Sequence, residues 1–86
     1  MNSDDSNFRN SSESQIRFGV VVRARRKELG LSQEGLALCS GLHRTYVADI
    51  ERGSRNISLR SIETLIEALE LSFVEFFTRY ENQQPK

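Results

Sequence analysis

Arg44, Thr45, Tyr46 and Asp49 bring a guanidinium, two hydroxyls and a carboxylate close together in a stretch whose apolar members are Val47 and Ile50. On a helix, positions three apart share a face, so Val47 and Ile50 point inward together. Arg44, Thr45 and Asp49 are then left outward, with Tyr46 at the edge. This set suits hydrogen-bond recognition rather than bond making. An arginine offers paired N–H donors that match adjacent acceptors such as O6 and N7 of guanine, and a carboxylate can accept from a cytosine amino group. Asp49 has a second option, which is to anchor Arg52 or Arg44. No carboxylate pair at useful spacing, no phosphate-binding glycine loop and no nucleophile–base set accompanies these residues, so an enzyme is not expected. Cys39 and His43 are too few for a metal site, which wants about four ligands. No cofactor and no small-molecule substrate is expected.

The chain has 86 residues, a formal net charge of zero and one cysteine. Its charge is unevenly spread. Residues 14–60 hold nine Arg or Lys against four acids, a net of +5, whereas residues 1–13 sum to −2 and residues 61–86 to −3. A polarised chain of this kind can present one basic face to a polyanion while staying soluble. No run approaches the roughly 18 apolar residues that cross a membrane. The polar start carries no signal-peptide pattern, and a lone cysteine fits a reducing compartment, so the cytoplasm is the expected location.

The elements that must position the outward set are helical throughout. Residues 1–13, MNSDDSNFRNSSE, bury too little to order themselves and read as a polar, disordered tail. Phe18, Val22 and Leu29, widened by Val20 and Val21, make the stripe of a first helix over about 14–29, stopped by Gly30. Ser32 caps a second helix whose buried side is Leu36, Ala37 and Cys39. Gly35 stands where a capping box would place a glutamate. Gly41 ends that helix, because a left-handed backbone is free for glycine and strained for residues with a Cβ. A third helix runs over about 44–52, ended by Gly53. Ser58 caps a fourth with the stripe Leu59, Ile62, Leu65, Ile66 and Leu69. Ser72 and Glu75 form a capping box for a fifth, which carries Phe73, Phe76, Phe77 and Tyr80. Residues 14–80 therefore read as one compact all-α domain of five helices, with residues 81–86 frayed.

Two short helices joined by a tight glycine turn make a helix-turn-helix, whose first helix crosses the DNA backbone while the second enters the major groove. The stretch from Phe18 to about Phe77 resembles the phage repressor and Cro-type (XRE) helix-turn-helix family, with a lambda-repressor-like fold. The resemblance rests on LSQ at 31–33, Leu36-Ala37, Gly41, Val47, Ile50-Glu51 and Gly53. Within the family, RTYVADIERGSRNISLRSIE is most similar to the controller proteins of restriction–modification systems. The resemblance implies base contacts by Arg44, Thr45, Tyr46 and Asp49, and phosphate contacts by Gln33, Arg55 and Asn56, with Arg23 an added candidate on the first helix. Gln33 would also orient a neighbour on the third helix. Arg26 and Glu51 would form a structural ion pair.

Phe73 and Phe76 are expected to close the monomer core. Phe77, Tyr80 and Val74 exceed what so small a core needs, and with Phe76 they are assigned to a twofold dimer interface. The resulting expectation is a homodimeric regulator of transcription on double-stranded DNA, reading a (pseudo)palindromic operator and having no membrane partner. Its rivals are a phage-type repressor and an antitoxin-like module whose main partner is a protein.

Overall fold

A computed structural model of the chain describes residues 12–83. Five helices follow one another: α1 (Glu13–Glu28), α2 (Gln33–Ser40), α3 (Arg44–Arg52), α4 (Leu59–Ala68) and α5 (Phe73–Asn82). Among the described residues there is no strand.

Local chemistry explains where each helix begins and ends. Ser12 caps α1: its hydroxyl accepts from Gln15 N at 3.1 Å, and Gln15 Oε1 accepts from Ser12 N at 3.2 Å. The ordered domain thus starts before residue 14, and Ser12 and Glu13 belong to it rather than to the tail. The rest of the expected tail, including Phe8, lies outside the described residues. At the other end α5 continues through Asn82, with Gln83 N bonded to Tyr80 O at 3.2 Å, so fraying does not begin at residue 81. Residues 84–86 lie outside the described range. Ser32, Ser58 and Ser72 cap α2, α4 and α5 as expected, each accepting from the backbone N–H three residues on.

Each helix buries one side in a shared core. Val22, Leu36, Val47, Ile50, Leu65, Ile66, Leu69 and Phe76 are fully enclosed, so all five helices contribute. Burying a side chain of this size stabilises the fold by roughly 1.5–3 kcal/mol before entropy is counted. α1 lies against α3 and α5, and α2 bridges α3 and α4. The α1–α3 contact is close enough that only glycine fits at position 19. A Cβ there would overlap the Ile50 carbonyl oxygen and lie 2.7 Å from that of Glu51.

Several apolar residues stand elsewhere than their stripes suggest. Val20 and Cys39 face solvent, and Ser40 takes the buried place on α2 expected of Cys39. Leu59 and Phe73, each the first residue of its helix, are exposed rather than part of the core. Phe76 is 0 % exposed and packs on Phe18 with ring centroids 4.9 Å apart. It is therefore a core residue with no surface left for a second chain. The aromatic cluster continues outward through half-buried Phe77, 5.0 Å from Phe76 edge-on, to Tyr80 at 5.7 Å.

Candidate nucleic-acid interface

The turn between α2 and α3 decides what α3 can present. Gly41 has φ 77° and ψ 13°, in the left-handed region, and its N–H closes α2 on Ala37 O at 2.8 Å. A Cβ at Gly41 would meet nothing within 4 Å, so the requirement there is conformational, not steric. His43 then opens α3 without a side-chain cap. Val47 and Ile50 anchor α3 completely, and Arg44 and Thr45 stand exposed at its start, with Tyr46 half-buried beside them. Among the described residues no carboxylate lies within salt-bridge distance of Arg44 or Arg23.

α3 is locked to α1 by a buried ion pair. Arg26 Nε and Nη2 donate to the two oxygens of Glu51 at 2.7 and 3.0 Å, and Arg26 Nη1 donates to Leu31 O at 2.8 Å. The hydrogen bond to Glu51 holds the Arg26 guanidinium above its ordinary pKa, against the opposing effect of burial; the attraction of the Glu51 charge adds to the rise. Gln33, first residue of α2, donates from Nε2 to Glu51 Oε1 at 3.0 Å. One carboxylate thereby fixes α1, α2 and α3 at their junction. A shallow groove opens there, lined by Arg23, Arg26, Gln33, Ala48, Glu51 and Arg52.

Asp49 sits differently from the other outward residues. Its carboxylate accepts from Arg52 on one oxygen and from Arg55 Nη2 at 2.9 Å on the other. Arg55 in turn lies over the Tyr46 ring, 4.8 Å from its centroid. Both Asp49 oxygens are thus engaged within the protein. Asn56 is tied back to α1, accepting from Gln15 Nε2 at 2.7 Å. The structure brings Arg44, Thr45, Tyr46, Asp49, Arg55, Arg23 and Gln33 onto α3 and its flanks, and leaves Asn56 at the boundary with the α1 start. Of the two anchors open to Asp49 in the sequence, the structure uses Arg52 and not Arg44 and adds Arg55; sequence reasoning passed over Gln15, which steadies the loop after α3.

The family model for helix-turn-helix proteins matches residues 22–76. The chain belongs to this helix-turn-helix family. It is 50 % identical over 56 residues to control protein C.BamHI of Bacillus amyloliquefaciens, which spans 64 % of this chain and 69 % of that protein. Two solved structures superpose closely. One is the restriction-modification controller protein C.AhdI from Aeromonas hydrophila, with TM-score 0.73, 45 % identity, and coverage of 77 % of this chain and 100 % of that one. The other is the C.Esp1396I controller tetramer in complex with its natural 35 base-pair operator, with TM-score 0.79, 39 % identity, and coverage of 83 % and 93 %. The matched segment contains the whole of α2, the turn and α3, so the ion pair, the groove and the outward face of α3 all lie within the shared unit.

Proposed function

We propose that this helix-turn-helix protein is a homodimeric, sequence-specific regulator of transcription of the restriction–modification controller kind, acting in the cytoplasm. The observation that carries the proposal is its likeness to a controller protein solved on its own operator. The exposed start of α3 agrees with it. In this reading α3 enters the major groove. Arg44 and Thr45 contact base edges, Arg44 favouring guanine through O6 and N7, and Tyr46 contacts a base or the adjoining sugar. Gln33 and Arg23 flank the groove between α1, α2 and α3 and take phosphates on one side of α3. Arg52 borders the same groove, and Arg55 takes a phosphate from the loop after α3, with Asn56 at the edge. Phosphate contacts set register and carry most of the affinity, and base contacts choose the sequence. Binding, not turnover, is the activity.

A second copy is recruited by α5. Val74, 76 % exposed, and Phe73 share α5 with half-buried Phe77 and Tyr80, and the Phe73 and Tyr80 rings lie 6.2 and 5.7 Å from that of Phe77. Two copies would present two α3 helices to half-sites about 34 Å apart, one turn of DNA. Selection of bound duplexes from a random pool tests the proposal. A twofold-symmetric consensus with that spacing supports it, and a pool that yields no enriched sequence overturns it.

A further inference from the structure

An acid on a face turned toward a polyanion needs a reason, and the surroundings of Asp49 supply one. Its carboxylate gathers two cations from different parts of the chain: Arg52, the last residue of α3, and Arg55, three residues into the following loop. The backbone of Asp49 holds the same loop, since its carbonyl accepts from Ser54 N at 3.0 Å and from Ser54 Oγ at 3.2 Å. Arg55 is further pinned by the Tyr46 ring beneath it. The carboxylate is largely covered, at 17 % exposure, while Arg52 and Arg55 are 64 % and 44 % exposed. The three side chains therefore present to solvent the outer edges of two arginines with one of their two positive charges cancelled from below.

We propose that Asp49 is a specificity-determining residue that works by tethering Arg52 and Arg55, restraining their attraction to DNA backbone of arbitrary sequence. The inference rests on the DNA-binding function proposed above. Non-specific binding draws nearly all its affinity from phosphates neutralised by Lys and Arg, and each such contact releases counterions. On random DNA the protein has no base contacts to fix its position, so its arginines must reach whichever phosphates are nearest. Arg52 and Arg55 do this only by leaving Asp49 or by carrying its negative charge toward the backbone. Both routes are opposed. On an operator, Arg44 and Thr45 fix where α3 lies, and a pair of arginines already held against Asp49 and Tyr46 needs no further ordering. The restraint therefore falls harder on the wrong sequences than on the right one.

The test is a salt series of fluorescence-anisotropy titrations, with a random-sequence duplex and the operator selected from the pool, comparing the parent with Asp49→Asn. Asp49→Asn is expected to bind random duplex about twofold to tenfold more tightly, as befits the loss of two exposed ion pairs. The slope of log affinity against log salt should become steeper by about one to two units, one for each arginine released to a phosphate. The operator should gain less, so the specificity ratio falls. Adding Arg55→Gln to Asp49→Asn should move the slope back toward the parent's, and circular dichroism should show parent-like helix content in each variant. An unchanged slope on random duplex, or an equal gain on both duplexes, overturns the inference while leaving the DNA-binding function standing. Weaker operator binding with relaxed preference at one base pair also overturns it, and makes Asp49 a base reader. A parent that binds neither duplex overturns the function itself.

Discussion

Arg44 and Glu51 carry opposite kinds of consequence. Arg44 is exposed and without a partner carboxylate among the described residues, so removing it leaves no orphaned charge inside the protein. Arg44→Ala is expected to keep the fold and to lose about 1–3 kcal/mol of operator affinity, with relaxed preference at one base pair. Competition anisotropy against single-base variants of the operator measures both effects, and a variant that binds like the parent on all of them removes Arg44 from the reading set. Glu51, by contrast, is 4 % exposed and accepts from Arg26 twice and from Gln33 once. Glu51→Gln removes the negative charge and turns one acceptor oxygen into a donor facing the guanidinium, leaving a buried Arg26 charge uncompensated. Breaking a buried pair from one side costs about 3–5 kcal/mol. Urea unfolding followed by circular dichroism should show a loss of that order. A loss below about 1 kcal/mol, the range of an exposed pair, would mean the pair is solvated in solution.

Two glycines show how α3 is placed, by different physics. At Gly41 an added Cβ meets open space, and only the positive φ resists substitution. Gly41→Ala should cost about 1–2 kcal/mol, the penalty of a left-handed residue with a side chain. At Gly19 the obstacle is the backbone of α3 itself, at Ile50 and Glu51, which cannot turn aside like a flexible side chain. Gly19→Ala should therefore exceed the usual overpacking penalty of about 1–3 kcal/mol. Chemical denaturation of both variants gives the order, and a larger loss at Gly41 would contradict the close α1–α3 approach. The same contrast explains what was legible in advance. Gly41, Gly53 and the caps at Ser32, Ser58 and Ser72 were readable because their chemistry is local to the chain. Val47 and Ile50 were readable from helical spacing. Gly19 was not, since a mid-helix glycine says nothing of what crosses it. Ser12 competed with neighbouring serines, and the choice falls to Gln15, which bonds both Ser12 and Asn56. The double grip on Asp49 depends on how the loop after α3 folds back, which spacing alone left open between two uses of that carboxylate.

At the scale of the whole molecule, Glu28 joins the end of α1 to α5. Its carboxylate accepts from Arg25 at 2.9 Å and from Arg79 at 3.0 and 3.1 Å, while Arg25 Nε also donates to Leu69 O at 2.9 Å. The hydrogen bond from Arg25, then that from Arg79, holds the Glu28 carboxyl below its ordinary value of 4.5. A depressed folded-state pKa stabilises the protein above the unfolded-state value, and that stability is lost as pH falls through the lower folded value. The parent's urea midpoint should therefore decline as pH is lowered below about 4.5. Glu28→Gln should show a shallower decline, with the two proteins converging at the acid end. Because the site is open to solvent, added salt should shrink the difference. Parallel pH profiles would indicate that the Arg25–Glu28–Arg79 bridge contributes nothing to how α5 is held.

How α5 is held matters because the proposed dimer uses the same helix as its surface for a second copy. Its inner side is committed to the monomer through Phe76, and its outer side leaves Val74 and Phe73 uncovered. Val74→Glu places a charge at the most exposed of these positions without touching Phe76, so the monomer fold should survive. Sedimentation equilibrium is expected to show the variant monomeric at concentrations where the parent is dimeric. Its affinity for a single half-site should match the parent's, while its affinity for the full operator should fall by about 10²–10⁴, the gain that linking two binding modules confers. A variant that stays dimeric would move the interface off α5. A monomeric variant with undiminished operator affinity would mean instead that each α3 reads its half-site independently of its partner.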